Sequence, residues 1–170
     1  LTGMGVRGVE GGAAAMIAPE MRSPLCAGLP ETAFGVQAVL EPLWYVDEGA
    51  GMEVIGRFPD GSPGAAVLRP SEGGLSIYIG TLTVPARLLR NILGASGVHL
   101  YLDSGDVLVT DGAFLSVTAS SAGEKTVRLT EPSVVRRILP EPALLGSGSA
   151  FTFTESFAQG ETRMYALGGD

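Results

Sequence analysis

One stretch of this chain, Val84–Ser96, repeats its apolar residues at helical spacing, and after it the period changes from 3.6 to 2. Val84, Leu88, Leu89, Ile92 and Leu93 form the apolar face, while Arg87, Arg90 and Asn91 fall on the other. Thr83 can cap the helix and Pro85 suits its first turn, where a missing N–H does no harm; Gly94 and Gly97 supply the stop. The spacing predicts a single amphipathic helix packed on a sheet. Seven short strands are then expected: Val98–Leu102, Val107–Thr110, Phe114–Ala119, Thr126–Leu129, Val134–Leu139, Phe151–Thr154 and Arg163–Leu167. Asp111-Gly112, between two apolar runs, is the clearest two-residue hairpin signal.

Before the helix, glycine and proline cut the chain into short runs. Ala14–Ala18, Val36–Leu40, Leu43–Val46 and Met52–Phe58 read as strands, the last ending at the turn Pro59-Asp60-Gly61-Ser62-Pro63. Ala65–Leu68 and Leu75–Gly80 read as a hairpin across Ser71-Glu72-Gly73-Gly74. The expected fold class is therefore mainly β with some α (α+β). Its 170 residues suffice for one ordinary domain or two small ones.

Composition closes off several functions. A net charge of −7 argues against nucleic acid, because phosphate binding needs a basic face. No apolar run approaches the roughly 20 residues that cross a bilayer, and Gly12–Pro19 is too short for a signal-peptide core. The expected setting is cytoplasmic. Cys26 and His99 are the only cysteine and histidine, which excludes an intrachain disulfide and a multi-histidine metal site. No cofactor and no metal is expected. A Ser-His-Asp triad would have to use His99.

Several motifs point further. The run Gly56–Val67, with Gly73-Gly74 and Ile77-Tyr78-Ile79-Gly80, resembles the closing hairpin of glutamine-amidotransferase-like domains. Ser23-Pro24-Leu25-Cys26-Ala27-Gly28-Leu29-Pro30 is similar to a loop of the same superfamily, with Ser23 where histidine is usual. Leu88-Leu89-Arg90, Gly97–Leu102, Gly105-Asp106-Val107, Phe114–Ala119 and Gly123–Leu129 resemble the junction between the trimerisation domain and the C-terminal β domain of family 42 β-galactosidases and their relatives. The resemblance runs from about Gly3 to Leu167. It implies that a catalytic barrel with paired carboxylates lies upstream of Leu1, where the chain reads as the middle of something longer.

No residue is assigned a catalytic, cofactor-binding or metal role. Cys26 lacks the strand-to-helix elbow and the His-x-Glu partners of an amidotransferase nucleophile, and reads as a small buried hydrophobe. His99 reads as a half-buried histidine bonded to backbone or carboxylate before it reads as a proton shuttle. Asp103, Asp106 and Asp111 lack calcium-loop spacing and suit turns. Glu41, Asp47 and Glu48 read as a solvated strand end rather than a glycosidase acid/base pair. Trp44 and Tyr45 could carry a sugar ring, but Trp44 reads as core or interface anchor. The glycine pairs at 11–12 and 73–74 lack the lysine and helix of a phosphate loop.

The expected organisation is therefore 1–96, the second half of an amidotransferase-like α/β (trimerisation-type) domain with one clear helix, and 97–170, a small antiparallel β-sandwich. Half an α/β sheet leaves an open edge. Residues 1–96 are thus expected to pair with another chain or to form a mostly β arrangement. The function implied is a non-catalytic accessory and oligomerisation region of a β-galactosidase-like glycoside hydrolase, partnered by further copies or by the upstream part of the same protein. The rivals are a carbohydrate-binding β module, marked by an exposed Trp44, Tyr101 or Tyr165, and a free-standing hydrolase using His99.

Overall fold

The computed structural model describes residues 3–71 and 73–168, the side chains of 147–150 excepted. The chain divides into two compact units, Leu1–Val98 and His99–Asp170. It is mainly β with one α-helix, and every described strand pairing is antiparallel. No helix among the described residues is long and apolar enough to cross a membrane.

The first unit contains β1 (Val6–Val9), β2 (Ala13–Pro19), β3 (Phe34–Leu40), β4 (Leu43–Val46), β5 (Met52–Arg57), β6 (Pro63–Leu68), β7 (Ser76–Ile79) and α1 (Ala86–Ala95). Five strands form one sheet in the order β3-β2-β5-β6-β7, and β1 and β4 form a separate ribbon. This is the mostly β arrangement with one helix. The β6–β7 hairpin forms as the alternation predicts, with Ala65 opposite Ile79 and Leu68 opposite Ser76; Glu72 of its turn lies outside the described residues. β1 has no counterpart among the expected strands, since Val-Arg-Gly-Val is too short and too broken to signal one. At the edge of the sheet Gly35 is obligatory. Its φ is +127°, and a Cβ there would meet the Ala15 carbonyl oxygen at 2.1 Å.

The helix departs from its sequence pattern in three ways. It starts at Ala86, with Pro85 at the cap position making no side-chain bond, so Thr83 does not cap it. Only Leu88 and Ile92 are buried, whereas Leu89 and Leu93 are exposed, because two positions four apart suffice for a narrow contact. That contact includes the 3-10 turn Pro24–Cys26: Asn91, expected on the solvent face, donates to the Leu25 and Ala27 carbonyls at 2.8 and 2.9 Å. The C-terminus closes as the glycine predicted, but at Gly97 alone. Val98 N–H bonds Leu93 O, Gly97 N–H bonds Gly94 O, and Gly97 takes φ +80°.

The second unit contains β8 (Val107–Thr110), β9 (Phe114–Thr118), β10 (Gly123–Leu139), β11 (Ala143–Phe157) and β12 (Thr162–Leu167), in the order β11-β10-β12-β9-β8. The two short strands expected at Thr126–Leu129 and Val134–Leu139 are one strand of 17 residues. Its pairing with β11 slips between Arg128 and Ser133, and Pro132 sits in that slip, where its missing N–H leaves no gap in the ladder. Val98–Leu102, expected as a strand, is irregular. The core of this unit gathers Leu102, Leu115, Val117, Val127, Leu129, Val135, Phe153, Phe157 and Tyr165.

The narrow helix contact yields a discriminating test. Leu88→Ala and Ile92→Ala should each lower unfolding stability by about 2–5 kcal/mol, while Leu89→Ala should cost less than about 1 kcal/mol. Denaturant melts of the three variants check this.

Candidate functional site

His99, the one histidine, is exposed rather than half-buried. Its Nε2 lies 2.9 Å from the Arg128 carbonyl oxygen, and its ring meets Tyr101 edge-on at 4.6 Å. Arg128 N–H donates to Tyr101 O at 2.8 Å. One residue of β10 thus has both its main-chain groups satisfied by the segment before β8, the imidazole standing where a strand neighbour's N–H would be. Residues 99–101 bond β10 at Arg128 without forming a ladder. Asp103 pairs with the Arg128 guanidinium at 2.8 Å, so that acid is committed to a cation rather than to His99.

The other candidates scatter. Cys26 is fully buried, its thiol 3.2 Å from the Ile55 carbonyl, and burial pushes the thiol pKa up, away from the thiolate a nucleophile needs. Ser23 bonds Glu53 and accepts from Leu25 N–H. Asp47 pairs with Arg7 at 2.8 Å and Glu48 with Arg57 at 2.7 Å; Glu41 is exposed. Asp111 accepts from the Ala113 and Phe114 amides, which holds its carboxyl below the usual range and shapes the β8–β9 turn. The structure does not bring these residues together. Tyr165 is fully buried, Tyr101 partly so, and Trp44 is 51% exposed.

Two buried charge clusters of the second unit escaped notice in the sequence. Asp106, read as a turn residue, has a fully enclosed side chain 3.2 Å from Lys125 Nζ. It also accepts from Ser104 and from the amide and hydroxyl of Ser120, and Lys125 donates to Ser121 at 3.1 Å. Burial alone would raise the Asp106 pKa, but these donors hold it down at about 2. In the second cluster Glu155 accepts from Arg137, from Arg163 at 3.0 Å and from the Tyr165 hydroxyl at 2.7 Å. Burial, then that bond to a carboxylate, pushes the Tyr165 pKa up. Glu155 is thereby a fixed acceptor with strong donors on both oxygens. The only usable signal was that Lys125 is the sole lysine and follows the strict inward alternation Lys125, Val127, Leu129.

The opposite face of the same sheet is apolar and open. Register sets Phe114, Ala166, Arg136 and Leu144 in one row across β9, β12, β10 and β11. The next row holds Val109, Ser116, Met164 and Leu139. Val107, Val109, Phe114, Leu139 and Leu144 are all exposed, at 48–66%. Two shallow hollows lie along it, one of about 440 Å³ between Val109, Phe114 and Met164, the other of about 430 Å³ between Arg136, Ile138, Pro142 and Leu144. Neither is lined by His99, Cys26 or Trp44.

The Asp106 cluster predicts an acid limb in stability. The carboxyl titrates near 3.8 unfolded and near 2 folded, so its contribution, about 2 kcal/mol, is complete above pH 4 and lost as pH falls from about 4 to 2. Asp106→Asn should flatten that limb, and Lys125→Met, which leaves a buried carboxylate unpaired, should cost about 3–5 kcal/mol at pH 7; denaturant midpoints against pH measure both. Compared with known proteins, the chain matches no family model, no curated protein and no solved structure.

Proposed function

We propose that this chain is a non-catalytic oligomerisation and accessory region of a β-galactosidase-like glycoside hydrolase, working in the cytoplasm. The reading draws on the motif resemblance in the sequence, and one observation supports it above others: the open apolar face across β8, β9, β12, β10 and β11. Contiguous exposed apolar surface mixed with few charges is what an association surface carries. Light scattering over a range of concentrations should show self-association, and Phe114→Glu should shift the chain toward monomer. A chromogenic β-galactoside should not be turned over. A strictly monomeric chain with hydrolysis lost in His99→Ala would replace this reading with the enzyme one.

A second reading, carbohydrate binding, is favoured by Trp44. The six-membered ring of its indole lies about 3.5 Å from where a Gly8 Cβ would stand, and the Trp44 carbonyl is held by the Tyr78 hydroxyl at 2.8 Å. A rigidly backed, half-exposed indole suits the C–H face of a pyranose. Trp44 is the sole tryptophan, so intrinsic fluorescence reports this ring alone. Galactose or lactose should quench or shift the emission if the reading holds, and a flat titration removes it.

A further inference from the structure

We infer that a second copy of this chain covers the apolar face of the second unit, sheet on sheet, about a two-fold axis running along the strands between β9 and β12. The inference rests on the oligomerisation reading and names its partner and register. Within its two rows the face carries one cation and one anion. Arg136 is exposed in the Phe114 row and pairs with no carboxylate among the described residues. Asp111 extends that row onto β8: its N–H bonds Phe114 O at 3.3 Å, and it lines the hollow between Val109, Phe114 and Met164. It too is exposed, and its carboxylate bonds the amides of its own turn with no cation beside it among the described residues. Three strand spacings, about 14 Å, separate the two charges within one chain, too far for them to meet.

Those two charges choose the axis. Sheets packed face to face lie about 10 Å apart with their strands nearly aligned, within the joint reach of an arginine and an aspartate. An axis along the strands between β9 and β12 lays β9 over the partner's β12 and β8 over the partner's β10. Arg136 then faces the partner's Asp111, and Asp111 the partner's Arg136, giving each unpaired charge its counter-ion. Phe114 faces the partner's Ala166, a ring over the smallest side chain of its row. Val109 faces the partner's Leu139 and Ser116 the partner's Met164. Leu144 alone of the two rows overhangs.

Other axes strand the charges. Centring on β12 sets Arg136 over the partner's Phe114 and Asp111 over the partner's Leu144. An axis across the strands sets each charge over the partner's copy of its own strand. Both arrangements take charges out of water without supplying a counter-charge, which is unfavourable. The net charge of −7 on each copy opposes approach at long range, but salt screens that repulsion beyond about 8 Å, and pairs at the border of a covered face are screened less. Four strands by two rows is a small overlap beside a standard interface, so the dimer should depend on concentration.

The test uses the full chain in sedimentation equilibrium. Arg136→Glu sets a carboxylate against the partner's Asp111 at both ends of the interface and should raise the dissociation constant about tenfold or more. Adding Asp111→Asn, which keeps a side-chain acceptor for the turn amides, should recover about threefold or more of that loss. Adding Glu10→Gln instead, which removes the same charge from an exposed site in the first unit, should not. An unchanged dissociation constant in Arg136→Glu, or equal recovery by Asp111→Asn and Glu10→Gln, overturns this register; if Phe114→Glu still dissociates the chain, oligomerisation through the face stands without it. A chain that is monomeric at every concentration overturns both.

Discussion

The second unit depends on β10, a strand with different neighbours along its two halves. β11 accompanies it throughout, but β12 joins it only from Val135 to Leu139. The first half, Gly123 to Leu129, would otherwise present bare main-chain groups beside the core, and a buried unpaired amide or carbonyl costs about 1–3 kcal/mol. The segment His99–Leu102 answers that need at Arg128. It places Leu102 in the core, gives Arg128 a carbonyl and an imidazole to bond, and holds Asp103 against the Arg128 guanidinium. The histidine that invites a catalytic reading is thus used to finish an edge.

Lys125 belongs to the same half-strand. The alternation that turns Val127 and Leu129 inward also turns Lys125 inward. An ammonium there needs an anion, and Asp106 supplies it, with three serines completing the shell. The Glu155 cluster follows the same logic, with Arg137 and Arg163 on two strands closing on one carboxylate. Pairs of this kind hold a structure because removing either member strands the other. In both clusters the charged groups are bonded chiefly to one another.

The apolar face is the other side of that arrangement. With the core on one face of a single sheet, the residues facing away have only solvent unless something covers them. Most such faces are polar, which makes the valines of β8 and Phe114 informative. In the first unit the same contrast appears on a smaller scale in α1, which buries Leu88 and Ile92 and leaves Leu89 and Leu93 outside.

Strand periods and turn residues were legible from the sequence alone. Leu43–Val46 and Val107–Thr110 end where the pattern ends them, the β6–β7 and β8–β9 hairpins form across their glycines, and Gly97 closes the helix. These features are local, set by side-chain alternation and by which residues tolerate positive φ. What tertiary structure decided was partnership. Nothing local distinguishes Asp106 in a turn from Asp106 buried against Lys125, or Asn91 facing solvent from Asn91 bonding two carbonyls across 64 and 66 residues. The joining of two predicted strands into β10, and the loss of Val98–Leu102 as a strand, turned on which neighbour reached each main-chain edge. Hydrogen-bond satisfaction is settled between segments, and a one-dimensional pattern records only each segment's own period.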